Sequence, residues 1–382
     1  MNNTVKGFRD YTGEEALRRE KAKEIIVKNF KLFGFEPAET PIIEYEDFVR
    51  GENTEDEAVS DIFKLKDKGK RNLALRYEFT FQLKRISQNK KLPYRRYQIG
   101  NVFRDEPVTS NRLREFLQCD ADIIGATIKD DAEILALASK ILNELCIDAV
   151  IYVNNKKLLN EILEKEGIIK DKRDAVIREI DKLDKLSEED VRRNLLQFGA
   201  EPLIDIFKKN EKFFEKYEYY KEIKELKEYC RMFGVEVKFN PSLARGLSYY
   251  TGTIFEVKTK KMKETICAGG SYMVNGTQAT GISFGRAVNL YSGPVDRVKC
   301  LIISINKDKE AIRLAQELRK TGISCSIAYG KISKSLEYAD HYKIEKVIFV
   351  GKEEIEKRKF KVRDMSSGKE IYFSLEELKN FF

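Results

Sequence analysis

Apolar positions first recur with helical spacing over residues 14–33, where Leu17, Ile25, Ile26, Phe30 and Phe33 make one stripe. Pro37 and Pro41 end helical structure after it. Residues 94–104 and 115–125 are rich in aromatic and β-branched side chains and read as strands. The turn chemistry of 107–111 joins them as an antiparallel hairpin with a long, mobile loop. Alternation along the second strand puts Gln118, Asp120 and Asp122 on one face. A helix is expected over 130–145, a buried strand over 149–153 and a further helix over 155–166. From 170 to about 228 the chain is rich in lysine and glutamate at helical spacing, with Pro202 its one proline, which reads as a helical insertion. Strands follow at 253–257 and 265–268. Gly269-Gly270 then allows a close backbone approach or a tight bend, and 280–285 leads into a helix.

After Pro294 the pattern changes. Buried-type strands at 298–305, 324–328 and 346–350 alternate with helical stretches at 308–320 and 333–342, which argues for a mostly parallel α/β layer. It carries no Gly-x-Gly-x-x-Gly, which argues against a dinucleotide site. Two domains are expected, 1–293 with the insertion at about 168–230, and 296–382.

Composition narrows the classes. The 382 residues are 42% hydrophobic and 35% charged, with no apolar run long enough to span a membrane. Residues 1–9 lack a signal-like apolar segment, so a cytoplasmic location is expected. The six cysteines form no Cys-x-x-Cys pair and read as reduced core residues. His341, the single histidine, fits a helix surface; one imidazole excludes multi-histidine metal sites and makes imidazole base chemistry a poor fit. Lysine and glutamate are abundant and tryptophan is absent, as in a hot habitat or an AT-rich genome alike. The net charge of +8 favours an anionic partner. Between 84 and 114 there are nine basic residues against two acidic ones, and over 296–382 nineteen against fourteen. A basic hairpin beside an acidic row suits a polyanion reacting next to a small cation or amine, or else a salt-bridged, solvated hairpin.

Specific peptides decide between these. Leu75-Arg76-Tyr77-Glu78-Phe79-Thr80, Phe103-Arg104-Asp105-Glu106, and Leu243-Ala244-Arg245-Gly246-Leu247-Ser248-Tyr249-Tyr250 occur in that order. The chain resembles the class II aminoacyl-tRNA synthetases and, through Arg245-Gly246-Leu247-Ser248-Tyr249-Tyr250, their histidyl family. Thr40-Pro41-Ile42-Ile43-Glu44 is similar to the family's motif 1, which builds a homodimer interface, and Lys6-Gly7-Phe8-Arg9-Asp10 to its N-terminal start.

The resemblance implies an α+β catalytic domain on a mostly antiparallel sheet with a helical insertion, then an anticodon-binding α/β domain. It implies activation of histidine by ATP, accompanied by Mg2+, and transfer to tRNA(His), with no resident metal. Arg104 would hold the α-phosphate and substrate carboxylate, and Arg245 the developing charge from the opposite side. Arg112 would reach the outer phosphates, Phe116 would stack on adenine and Glu106 would contact its amine. Glu78, Thr80 and Gln118 would take the α-ammonium, and Asp122 and Tyr250 the imidazole nitrogens. Tyr249 belongs to the same pocket or to the core.

The sequence also departs from the family. Ser248 stands where aspartate is usual. Ser271 and Met273 replace the arginine and aspartate expected around Tyr272, and Val288 replaces the motif 3 arginine. Arg286 lies two residues before Val288 and, on a regular helix, would leave from nearly the opposite face, so it is not expected to substitute. Two alternatives are a catalytically inactive, histidine-sensing regulatory paralogue and a non-catalytic nucleic-acid-binding module. The regulatory group usually lacks both the C-terminal domain and the intact arginine–tyrosine peptide.

Overall fold

The computed structural model describes residues 3–51, 61–109, 112–184, 186–244, 249–259 and 265–382. Arg245, with Gly246, Leu247 and Ser248, and the hairpin tip at 110–111 lie outside the described residues. The chain divides into two compact units, Met1–Gly293 and Pro294–Phe382. No described helix is long and apolar enough to cross a membrane.

The first unit contains β1 (Glu36–Pro37), β2 (Ile43–Tyr45), β3 (Lys64–Lys66), β4 (Asn72–Leu75), β5 (Tyr94–Phe103), β6 (Glu115–Ile124), β7 (Ala149–Asn155), β8 (Lys238–Phe239), β9 (Tyr250–Thr259), β10 (Thr265–Val274) and β11 (Thr277–Phe284). Eight of these form one sheet in the order β1-β5-β6-β11-β10-β9-β7-β8, and β2-β4-β3 form a small second sheet. The large sheet is mixed. Its interior pairs are antiparallel, while the two-residue strands β1 and β8 add in parallel at its edges. The sequence pattern missed these edge strands because two residues carry no alternation.

The predicted strand at 265–268 extends through Gly269 and Gly270 to Val274, so the glycines form a close approach and not a bend. A Cβ at Gly269 would lie 2.0 Å from the Gly281 carbonyl oxygen on β11. The helix Ile128–Glu144 buries Ile134, Leu135, Leu137, Ala138 and Ile141 against this sheet and the helix Tyr220–Met232. The Asp130 carboxylate accepts from the Thr127 amide at 2.8 Å and closes its first turn.

Lys170–Asp181, Glu188–Leu196 and Leu203–Phe207 are the helices of the insertion. Their apolar faces, including Ile177, Leu195 and Phe207, join a core cluster that also holds Tyr250 and Tyr272. These helices therefore share one core with β9 and β10.

In the second unit β12 (Cys300–Ser304), β13 (Cys325–Ala328), β14 (Lys346–Val350), β15 (Phe360–Asp364) and β16 (Glu370–Phe373) form one sheet in the order β13-β12-β14-β15-β16. Only the pairs made by β12 are parallel; β14, β15 and β16 run antiparallel, which corrects the expected mostly parallel layer. The missed pair turns at 366–368, where the Asp364 carboxylate accepts from the Ser366 and Ser367 amides at 3.0 and 2.7 Å. Its strands are short and half exposed, so they lack the continuous apolar signature of the parallel ones. Cys119, Cys230, Cys267 and Cys300 are buried, but Cys146 is exposed and Cys325 partly so, correcting the reading of all six as core.

Candidate active site

The hairpin β5/β6 pairs from Tyr94↔Ile124 to Phe103↔Glu115 without interruption. The N-terminal segment clamps its open end: the Arg114 amide donates to the Gly7 carbonyl at 2.9 Å, and Phe8 stacks on Phe103. Gly7 adopts φ 88°, and a Cβ there would meet Arg114 and Val108 below 3.0 Å, so only glycine suits this clamp.

A cleft of about 330 Å³ opens on the face of β6 that carries Phe116, Gln118 and Asp120, within the range of small-molecule sites. Glu78 and Thr80, at the start of the helix Thr80–Ile86, line it, as do Arg104, Glu106 and Arg112 of the hairpin. Tyr249 and Tyr250 close another side; their rings lie 4.7 Å apart. Burial raises the Tyr249 phenol well above its ordinary value, so it stays neutral.

One end of the cleft is cationic. The Arg104 guanidinium sits 5.2 Å from the centroid of the Phe116 ring, with its Nε donating to the Tyr77 carbonyl at 3.2 Å. Arg112 donates to Glu106 at 3.3 Å, which holds both at the rim. These contacts leave a charged fork beside an aromatic face, an arrangement suited to a nucleotide.

Arg286 also lines this cleft. The helix it precedes is short, Ala287–Leu290, and Arg286 is its N-cap with φ −119° and ψ −18°. The expectation that helix geometry turns Arg286 away is therefore corrected, because the helix begins one residue later. Burial lowers the Arg286 guanidinium from its ordinary value, as does Arg112, while Glu106 opposes them. Val288, at the usual arginine position, is 2% exposed in the core.

The other end is acidic, and its geometry separates two neighbouring carboxylates. Asp122 Oδ1 accepts from the Tyr272 hydroxyl, and Oδ2 lies 2.9 Å from an Arg96 guanidinium nitrogen as an ion pair. It is not among the described residues that line the cleft. Arg96 is its cross-strand neighbour on β5, and Gly281 is its neighbour on β11. A Cβ at 281 would come within 2.1 Å of Asp122 Oδ1, so the glycine makes room for the pair.

Asp120 does line the cleft. Gln118 donates to its Oδ2 at 2.8 Å, whereas its buried Oδ1 has no hydrogen-bonding partner among the described residues. Burial, then the Asp122 charge, push its carboxyl up to about 7, partly offset by Arg96, Ser283 and Gln118. Alternation grouped Gln118, Asp120 and Asp122, but which carboxylate is compensated depends on Arg96, which the sequence shows only as one of nine local cations.

A family model described as histidyl-tRNA synthetase matches residues 7–288, and one described as an anticodon binding domain matches residues 299–382. Histidine–tRNA ligase 1 of Bacillus cereus is 32% identical, with 98% of this chain and 96% of that protein covered. The chain belongs to the histidyl-tRNA synthetase family.

The crystal structure of histidyl-tRNA synthetase from Nostoc sp. PCC 7120 has the same fold, with a TM-score of 0.87 at 23% identity over all of both chains. A Bacillus halodurans structure described as an ATP phosphoribosyltransferase regulatory subunit/histidyl-tRNA synthetase gives 0.74 at 21%, covering 88% of this chain and 96% of that one. Both solved structures thus share this fold.

Proposed function

We propose that this protein activates histidine with ATP and transfers it to tRNA(His). The observation that carries the reading is the two-ended cleft, with Arg104, Arg112, Arg286 and Phe116 at one end and Glu78, Gln118 and Asp120 at the other. A histidine sensor needs only the second end. The retained nucleotide end and the match to an anticodon binding domain favour the catalyst over the regulatory paralogue.

In the first step a carboxylate oxygen of histidine attacks the α-phosphorus of ATP in line, the bond to the β-phosphate oxygen breaks, and pyrophosphate leaves. In the second a hydroxyl of the terminal adenosine of tRNA attacks the acyl carbon, loses its proton and displaces AMP. The protein contributes positioning and charge stabilisation. Arg104 spans the α-phosphate and substrate carboxylate, Arg112 and Arg286 meet the outer phosphates, Phe116 stacks on adenine and Glu106 accepts from its amine. Glu78, Thr80 and Gln118 receive the α-ammonium, and Tyr249 and Tyr250 wall the ring pocket. Arg245 supplies a further charge at the α-phosphate in this scheme. Mg2+ would accompany ATP as part of the nucleotide substrate. Ile42, Ile43 and Tyr45 expose apolar surface around β2, which supports a homodimer through the motif 1 segment.

Histidine-dependent exchange of labelled pyrophosphate into ATP tests the reading. Exchange by the purified chain is expected; histidine binding without exchange would favour the regulatory alternative.

A further inference from the structure

We infer that Cys300 and Cys325 are a redox-responsive thiol pair, which hydrogen peroxide converts to a disulfide between β12 and β13. The pair lies wholly within the second unit. The two strands run parallel, with Cys300 and Cys325 as register partners. Neighbouring strands lie about 4.8 Å apart, inside the roughly 4.4–6.8 Å that separates the Cα atoms of disulfide-bonded cysteines. Both side chains occupy one face of the sheet. Cys300 belongs to the apolar cluster of Ile302, Leu314 and Leu318, and Cys325 packs against that same cluster. Cys325 Sγ lies 3.6 Å from the Ala315 carbonyl oxygen of the helix Asp308–Lys320. Among the described strands no other two cysteines are register partners; Cys119 and Cys267 both pair with Phe284 instead.

The two thiols differ in the way such chemistry requires. Cys300 is buried, whereas Cys325 is partly exposed on the edge strand of its sheet. The Arg319 guanidinium is anchored beside it, donating to the Cys325 carbonyl at 3.0 Å. A hydrogen bond from Cys300 holds the Cys325 thiol down to about 7, with burial opposing and Arg319 assisting. The same bond, then burial, pushes the Cys300 thiol up. Cys325 is therefore the thiolate that meets the oxidant, and Cys300 the thiol that resolves it. The Cys325 thiolate attacks one peroxide oxygen, the O–O bond breaks, and hydroxide leaves to be protonated to water. The sulfenic acid on Cys325 is then attacked by the Cys300 sulfur. Its S–O bond breaks, and the departing hydroxide takes the Cys300 proton as a second water. Two thiols lose two electrons to the peroxide, and the new bond ties the edge strand to β12.

The test treats the reduced full chain with limiting hydrogen peroxide, then unfolds it, alkylates the remaining thiols and digests it without reductant. Mass spectrometry is expected to find the Cys300 and Cys325 peptides joined and both thiols lost to alkylation. Dithiothreitol should restore both thiols. Cys300→Ser removes the resolving thiol, so Cys325 should then accumulate as a sulfenic acid that dimedone traps. Cys325→Ser should leave Cys300 reduced. Two outcomes overturn the inference: Cys300 and Cys325 both alkylated while the exposed Cys146 consumes the peroxide, or Cys325 joined to any cysteine other than Cys300. Should either variant fail to fold, the linkage map of the wild-type chain still decides.

Discussion

Arg96 and Asp122 face each other across β5 and β6 as an ion pair of 2.9 Å, with Arg96 only 1% exposed. Removing one partner of such a pair leaves an uncompensated buried charge, at a cost of about 3–5 kcal/mol. Asp122→Asn should therefore lower Tm markedly in thermal unfolding of the whole chain. Unchanged stability with a selective loss of histidine affinity would return Asp122 to the binding site.

Arg286→Ala should raise the KM for ATP at saturating histidine by about tenfold or more, equivalent to roughly 1.4 kcal/mol, while leaving the KM for histidine near its original value. The short helix after it buries Ala287 and Val288, and neither is altered. An unchanged ATP constant would show that Arg104, Arg112 and Phe116 suffice.

Gly269→Ala places a methyl group 2.0 Å from the Gly281 carbonyl oxygen and 2.7 Å from the Phe255 ring. The first obstacle is the backbone of a paired strand and cannot rotate aside. Overpacking of this kind costs about 1–3 kcal/mol or more, so reduced soluble yield and a lower Tm are expected. A variant that unfolds at the wild-type temperature would show that β10 and β11 can separate locally.

Asp131 is buried, and the Ser271 hydroxyl lies 2.9 and 2.8 Å from its two carboxylate oxygens. Burial pushes the Asp131 carboxyl up to about 6, with Thr280, Thr253 and Ser271 opposing. The native state thus holds this proton more tightly than the unfolded chain. Its contribution falls as pH rises from about 4 to about 6 and stays reduced above that. Asp131→Asn should raise Tm at about pH 8 and lose that gain near pH 4, where the native carboxyl is already neutral. The same shift at both values, measured by thermal unfolding, would contradict the raised carboxyl.

Long periodic elements were legible in the sequence because their burial is one-sided. The helix predicted over 14–33 is found at Gly13–Leu32, and the two hairpin strands at Tyr94–Phe103 and Glu115–Ile124. Strand alternation grouped Gln118, Asp120 and Asp122, of which Gln118 and Asp120 line the cleft. What local pattern could not show was partnership between distant segments. Arg96 neutralises Asp122 because the hairpin register sets them opposite each other, and Gly281 admits the pair from a strand more than 150 residues away. Arg286 reaches the cleft because a helix start fell one residue later than periodicity would place it. Ser271, where the family expects arginine, is buried against Asp131, a contact across 140 residues that no short motif encodes.

The strand order carries a consequence for how the protein is made. On the ribosome β6 emerges directly after β5 and can zip into a hairpin at once, but its other edge belongs to β11, whose Ala279 pairs with Ile124. At about 5–20 residues per second, that partner arrives roughly 8–30 seconds later, after the whole insertion has been synthesised. For that interval the strand bearing Gln118 and Asp120 presents an open row of amides and carbonyls to any other nascent chain. Until β11 has been made, this edge of β6 is thus a pairing surface that the finished sheet no longer offers.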